Sequence, residues 1–221
     1  MTTKKTPMNS TLSSPVNLDL MTFIESQILP RYQAFDAAHR SEHVQHVIKE
    51  SLALAKRLGA DVDMCYTIAA YHDLGLEGPR AVHHITSGKI LLADKRLSKW
   101  FSPAQIKIMK EAVEDHRASA AKAPRSMYGK IVAEADRELK AETVMRRTIQ
   151  FGLDNYPELD HEGQYKRFEE HLENKYSQAG YIKLWIPGSE NEKRLTELRN
   201  TINNKTQLRQ EFERIISIIR L

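Results

Sequence analysis

The chain has 221 residues, 41% hydrophobic and 28% charged, a balance that supports a full apolar core and excludes an apolar-poor disordered chain. Lys and Arg number 33 against 29 Asp and Glu, a formal charge of +4 scattered along the sequence; the concentrated basic footprint of a nucleic-acid binder is missing, so no such partner is expected. Cys65 is the only cysteine, so no internal disulfide can form and a reducing, cytoplasmic location is expected; no apolar run is long enough to suggest a membrane partner.

Met1 to Asn17, rich in Ser, Thr, Lys and Pro, lacks the apolar segment of a secretion signal and is expected to be a disordered extension. From Leu18 to Leu29 the apolar residues recur at helical spacing until Pro30. Val44, Val47, Ile48, Leu52, Ala55 and Leu58 mark a second helix that Gly59 ends. Asp61 is a fitting N-cap for a third, running to about Leu74, in which Cys65 reads as a buried inert thiol. Further helices are expected at roughly 84–94, 103–117, 127–151, 161–178 and 190–220, separated by Gly and Pro breakers, with only a short strand-like stretch from Tyr181 to Ile186. The fold class is therefore all-α.

Several polar residues fall on faces that should be apolar. Val132, Asp136 and Leu139 stand at i, i+4 and i+7, which puts a carboxylate on a core stripe, where burial is costly without a cation or donors. His116 closes the series Ile106, Met109, Val113. His72 continues a stripe through Cys65 and Ile68 or Ala69, with Asp73 directly after it. His43 begins the face of Val47, and His84 precedes Gly88 and Leu91. Any one of these histidines reads more readily as a hydrogen-bonded core residue, and Asp136 alone could pair with Arg146 or Arg147. Five helices each sending a His or Asp inward point instead to one metal centre, since a divalent ion accepts imidazole and carboxylate together.

The same residues carry a family resemblance. HVQHVIKESLALAKRLGADVDMCYTIAAYHDLGL, with His43 opening one helix and Ala69-Ala70-Tyr71-His72-Asp73-Leu74-Gly75 closing the next, resembles the opening of the HD superfamily of metal-dependent phosphohydrolases. GKIVAEADRE resembles the helix that supplies its last ligand, Asp136. The likeness covers roughly Phe35 to Lys140, and KYSQAGYIKLW with the helix after it resembles the end of an uncharacterised bacterial subgroup. It implies a single-domain helical bundle: 1–17 as extension, 18–155 as the HD-type domain and 156–221 as a helical extension packed on it. A first ion would be held by His43, His72, Asp73 and Asp136. A second would be held by His84 and His116 with Asp73 as bridge, His83 being the alternative to His84. Asp73 and His72 are the expected catalytic pair.

One or two divalent ions (Mn, Fe, Co, Ni, Zn or Mg) would lower the pKa of water for attack on phosphorus. Fixed positive charge for phosphate is sought in Arg117 first, then Arg80, Lys122 and Arg125, with His39 at the entrance; solvated loop cations are the competing reading. The expected partner is a small phosphorylated metabolite or nucleotide. The apolar face of the last helix is expected to fold back on its own domain, with a homodimer as the other use. The rival functions are a catalytically silent nucleotide or metal sensor and a metal-free helical interaction protein.

Overall fold

The computed structural model describes residues 15–34, 41–119 and 122–219. The described residues form ten α-helices and no strand; Tyr181 to Ile186 is irregular. His39 lies outside the described residues, as does most of the N-terminal segment. The expected extension ends earlier than Asn17. Val16 packs on the core, and the Asn17 side chain accepts hydrogen bonds from the Asp19 and Leu20 amides as the cap of the first helix.

The N-terminal bundle contains α1 (Leu18–Gln27), α2 (Ser41–Leu58), α3 (Val62–Tyr71), α4 (His83–Ala93), α5 (Pro103–Asp115) and α6 (Met127–Ala135). Three of these helices, α3, α5 and α6, start where the sequence supplies a cap. Asp61 accepts from the Asp63 and Met64 amides at α3, Ser102 and Gln105 make a reciprocal capping box at α5, and Ser126 accepts from Gly129 at α6; such caps satisfy amides that the helix leaves open. α3 is buried on all sides, with every residue from Met64 to Tyr71 in the core. It is the central rod, and its C-terminal end therefore opens into the molecular interior.

A second bundle holds α7 (Ala141–Asn155), α8 (His161–Tyr176), α9 (Glu190–Asn203) and α10 (Lys205–Ile219). Its core joins Val144, Ile149, Phe168, Leu172, Leu198 and Phe212. α7 thus packs with the C-terminal helices, although it was expected with the preceding domain. Two long helices are also divided. Residues 136–140 separate α6 from α7, and Asn204 ends α9 while its side chain accepts from the Gln207 amide at the start of α10.

The loop between α8 and α9 ties the bundles together. Ile186 is buried with Ala55, Cys65 and Ile131 of the first bundle. The buried Glu134 carboxylate accepts from the Trp185 amide and the Ser189 hydroxyl, and Asn191 donates to the Glu134 and Arg137 carbonyls. A buried carboxylate with this many donors costs little, so the extension is clamped firmly to the first bundle. Cys65 is buried there, and burial pushes its thiol up to about 12, which leaves it inert at neutral pH. No helix among the described residues is long and apolar enough to cross a membrane.

Candidate metal centre

The ligand candidates sit at helix ends. His72, His116 and Asp136 are the residues that follow α3, α5 and α6, His83 is the first residue of α4, and His43 is the third of α2. Three helix C-termini therefore converge on one point, and their carbonyl ends carry the negative pole of the helix dipole, an environment that favours a cation. The expected stripe Val132, Asp136, Leu139 is corrected accordingly. Asp136 caps α6 instead of lying in mid-helix, and it reaches the centre because the helix stops there.

Asp73 is the hub. Its Oδ2 lies 3.6 Å from His43 Nε2 and 3.3 Å from His72 Nε2, while Asp136 Oδ1 is 3.2 Å from His43 Nε2 and 3.8 Å from His72 Nε2. Its Oδ1 faces the other way, 3.3 Å from His83 Nε2 and 3.4 Å from His116 Nε2. The two imidazole pairs close at 3.3 Å between His43 and His72 and 3.1 Å between His83 and His116. One carboxylate is thus shared by two sets of nitrogens.

Tautomers settle what these sets can hold. His72, His83 and His116 each place Nδ1 at 2.7, 2.8 and 2.6 Å from the carbonyl of Ala69, Arg80 and Val113 respectively. A carbonyl only accepts, so each Nδ1 carries a hydrogen and each Nε2, once deprotonated, presents a lone pair to the centre. Lone pairs facing lone pairs and carboxylates repel unless a cation lies between them. Ligand atoms about 2.1 Å from a common ion sit about 3.0–3.4 Å apart, and the separations found here, apart from 3.6 Å for His43 to Asp73 and 3.8 Å for His72 to Asp136, fall in that range. The donor atoms form two groups that each fit a divalent ion, one of His43, His72 and Asp73 and one of Asp73, His83 and His116, with Asp136 beside the two histidines of the first.

Without the ions the cluster is held by protons. Burial would lower His43, but hydrogen bonds to Asp136 and Asp73 raise it to about 9. Burial would raise Asp136, but His43 and the His72 charge bring it down to about 2. Asp73 lies well below the usual carboxylate range: burial opposes this, and the surrounding histidines overcome it. Burial lowers His83, whereas Asp73 raises His116 against its own burial.

His83, and not His84, faces the second position. His84 Nδ1 is buried without a hydrogen-bond partner, and its ring lies 5.6 Å from that of His83, outside the cluster. Which of two adjacent histidines turns inward depends on how α4 begins. Gly75 decides this: a Cβ there would stand 2.0 Å from the His83 carbonyl and 2.7 Å from the Ser87 amide, and the Gly75 amide donates to the Ser87 hydroxyl at 2.8 Å. Only glycine lets the chain after Asp73 pass this close to α4.

Residues 40–140 match the HD domain family. This segment of the chain is an HD domain. Neither the comparison with curated proteins nor that with solved structures gave a match. The HD domain generally belongs to metal-dependent phosphohydrolases, and the adjacent His72 and Asp73 lie within the matched residues.

Beside the His and Asp cluster opens a cavity of about 770 Å³, lined on the near side by Arg80 and Arg117. Arg117 is anchored by a 2.8 Å hydrogen bond to the Ala81 carbonyl. Arg125 does not reach the cavity. Its guanidinium is committed to Asp115 and Glu114 and to the Glu111 carbonyl, while Lys122 is exposed and also away from the lining. Reading the sequence missed Arg137, buried beside Asp136 and donating to the His116 carbonyl at 3.0 Å. It also missed Tyr32, whose buried hydroxyl bonds the Ala70 carbonyl and the Asp73 amide beneath His72. Arg137 was signalled only by its position after Asp136, and Tyr32 by nothing in the pattern.

Proposed function

We propose that this protein hydrolyses a phosphate ester or anhydride of a nucleotide or related small metabolite at a two-ion centre. The carrying observation is Asp73, whose two oxygens each face a separate pair of imidazole nitrogens. Divalent ions held by these residues would lower the pKa of water toward neutrality and offset phosphate charge. His43, His72 and Asp136 hold the first position and His83 and His116 the second, while Asp73 sets their spacing. Carbonyl-anchored imidazoles keep that geometry rigid. Arg117 and Arg80, at the cavity side of the cluster, orient the phosphate. The lone buried thiol of Cys65 supports a cytoplasmic setting.

The test is phosphate release from a panel of nucleotides and simple esters by chain stripped of metal and reconstituted with Mn2+ or Co2+. Metal-dependent turnover that disappears in Asp73→Ala supports the reading. Binding without turnover across the panel would make the protein a silent sensor, and failure to take up any stoichiometric divalent ion would make it a metal-free interaction protein.

A further inference from the structure

The cavity does not end with the HD domain. Its far wall comes from α7 and α8, beyond the residues that match the family, and presents Arg147, Phe151, Arg167, His171 and Lys175. Several other cations of this bundle are neutralised. Arg146 pairs with Glu142, Lys205 with Glu169, and Arg209 with Glu162 and Glu213. Arg147, Arg167 and Lys175 have no carboxylate partner among the described residues, although Arg147 directly follows the paired Arg146.

Apart from Asp73 and Asp136 the only carboxylate lining the cavity among the described residues is Glu138, which is occupied by the Lys140 amide. The cations also crowd one another. Arg137 is buried with its Nε unpartnered, as is the Nε of Arg167, whose guanidinium lies 5.9 Å from the Phe151 ring centre. Burial and then the Arg137 charge push the Lys175 ammonium below its ordinary value. Unneutralised like charges around one cavity are unfavourable until an anion enters.

We propose that Arg147, Arg167 and Lys175 form a second anion subsite, so that the substrate carries two separate anionic groups, one taken to the metal centre and the other held against α7 and α8. The exposed faces of Phe151 and Tyr181 line the same cavity and flank the part that joins the two groups. This rests on the phosphohydrolase reading for its metal end. A cavity of about 770 Å³ is far larger than one phosphate requires and is the size of a small-molecule site.

The experiment is titration calorimetry of the metal-reconstituted chain with orthophosphate and with tripolyphosphate. Wild type is expected to bind tripolyphosphate at least about tenfold more tightly, and the double variant Arg147→Gln, Lys175→Gln to lose that margin, while Lys175→Arg keeps it. Equal affinity for the two anions in wild type, or an unchanged margin in the double variant, would overturn the proposal. Should the double variant fail to fold by circular dichroism, Arg147→Gln alone, at an exposed side chain, is expected to lose part of the margin, and an unchanged margin there is equally fatal. In turnover, the ratio of kcat/KM for a nucleoside 3′,5′-bisphosphate over the 5′-monophosphate is expected to fall about tenfold for each charge removed. If nothing is hydrolysed yet the calorimetric margin behaves as stated, the hydrolase reading fails and the subsite stands. If esters are hydrolysed and the margin is indifferent to Arg147 and Lys175, the reverse holds.

Discussion

At one end of the cavity two carboxylates and four imidazoles gather in two groups that share Asp73; at the other, three cations line the wall without carboxylate partners among the described residues. The first end is buried and built from helix termini locked by carbonyl hydrogen bonds, as ion ligands must be. The second is more open and stands on the sides of two helices, where long side chains can adapt to a ligand. The difference teaches how the proposed function would divide the work between the two bundles. The N-terminal one would supply a rigid centre for cations, and the C-terminal one charge of the sign that a phosphorylated molecule lacks.

The contrast breaks most severely at Asp73. Asp73→Ala removes the one group that faces both imidazole pairs, and turnover should fall by at least about 10³-fold, beyond the usual effect of deleting a single transition-state donor; elemental analysis should show loss of both ions. Gly75→Ala comes next. Its Cβ would collide with backbone at 2.0 Å, which cannot yield as a side chain can, so α4 must shift and stability should drop by about 2 kcal/mol or more. Denaturant melts measure the loss, and a stability equal to wild type would remove Gly75 from the account of how His83 is placed.

The two adjacent histidines sharpen the picture. His83→Ala should lower bound metal from about two ions per chain to about one, whereas His84→Ala should keep both; the opposite pattern would reassign the second position. Metal uptake should also depend on pH in a defined direction. His43 is raised from 6.5 to about 9 in the metal-free cluster, so its proton must leave for an ion to bind. Apparent metal affinity should therefore climb between pH 6.5 and 9, by up to about tenfold per unit. The metal-free chain should respond in the other sense: the stabilisation from His43 is complete below 6.5 and is lost as pH rises through about 9. Melting curves with and without metal across this range test both signs. The smallest effect belongs to Arg125→Ala, which breaks partly exposed pairs with Glu114 and Asp115. It should cost about 1 kcal/mol or less and leave phosphate release unaltered.

Much of the cation end could be read before any coordinates. His72 and Asp73 close a nearly all-apolar helix, and His116 closes another apolar series, so the helical period alone turned them inward. Asp136 was reached by the same stripe argument even though α6 stops at Ala135, because a residue just past a helix end still continues its last turn. His83 against His84 could not be decided in that way. Adjacent residues differ by about 100° on a helix, and only the close passage of Gly75 sets the rotation of α4. Arg125 ranked behind Arg117 as a phosphate candidate, and its claim failed because Glu114 and Asp115 lie within hydrogen-bond distance of its guanidinium.

The sequence by itself determined the all-helical architecture, the helix start after Asp61 and those near 103, 127 and 190, and the presence of polar residues on apolar faces, since capping and periodicity are local properties. Tertiary structure alone decided that Asp73 is shared between two nitrogen pairs and that His83 turns inward. It also decided that α7 joins the C-terminal helices, so that Arg147 and Lys175 face the metal centre across a cavity. These depend on which elements meet, and contacts between residues more than a hundred positions apart, such as Arg57 with the Gly188 carbonyl, leave no periodic trace in either segment.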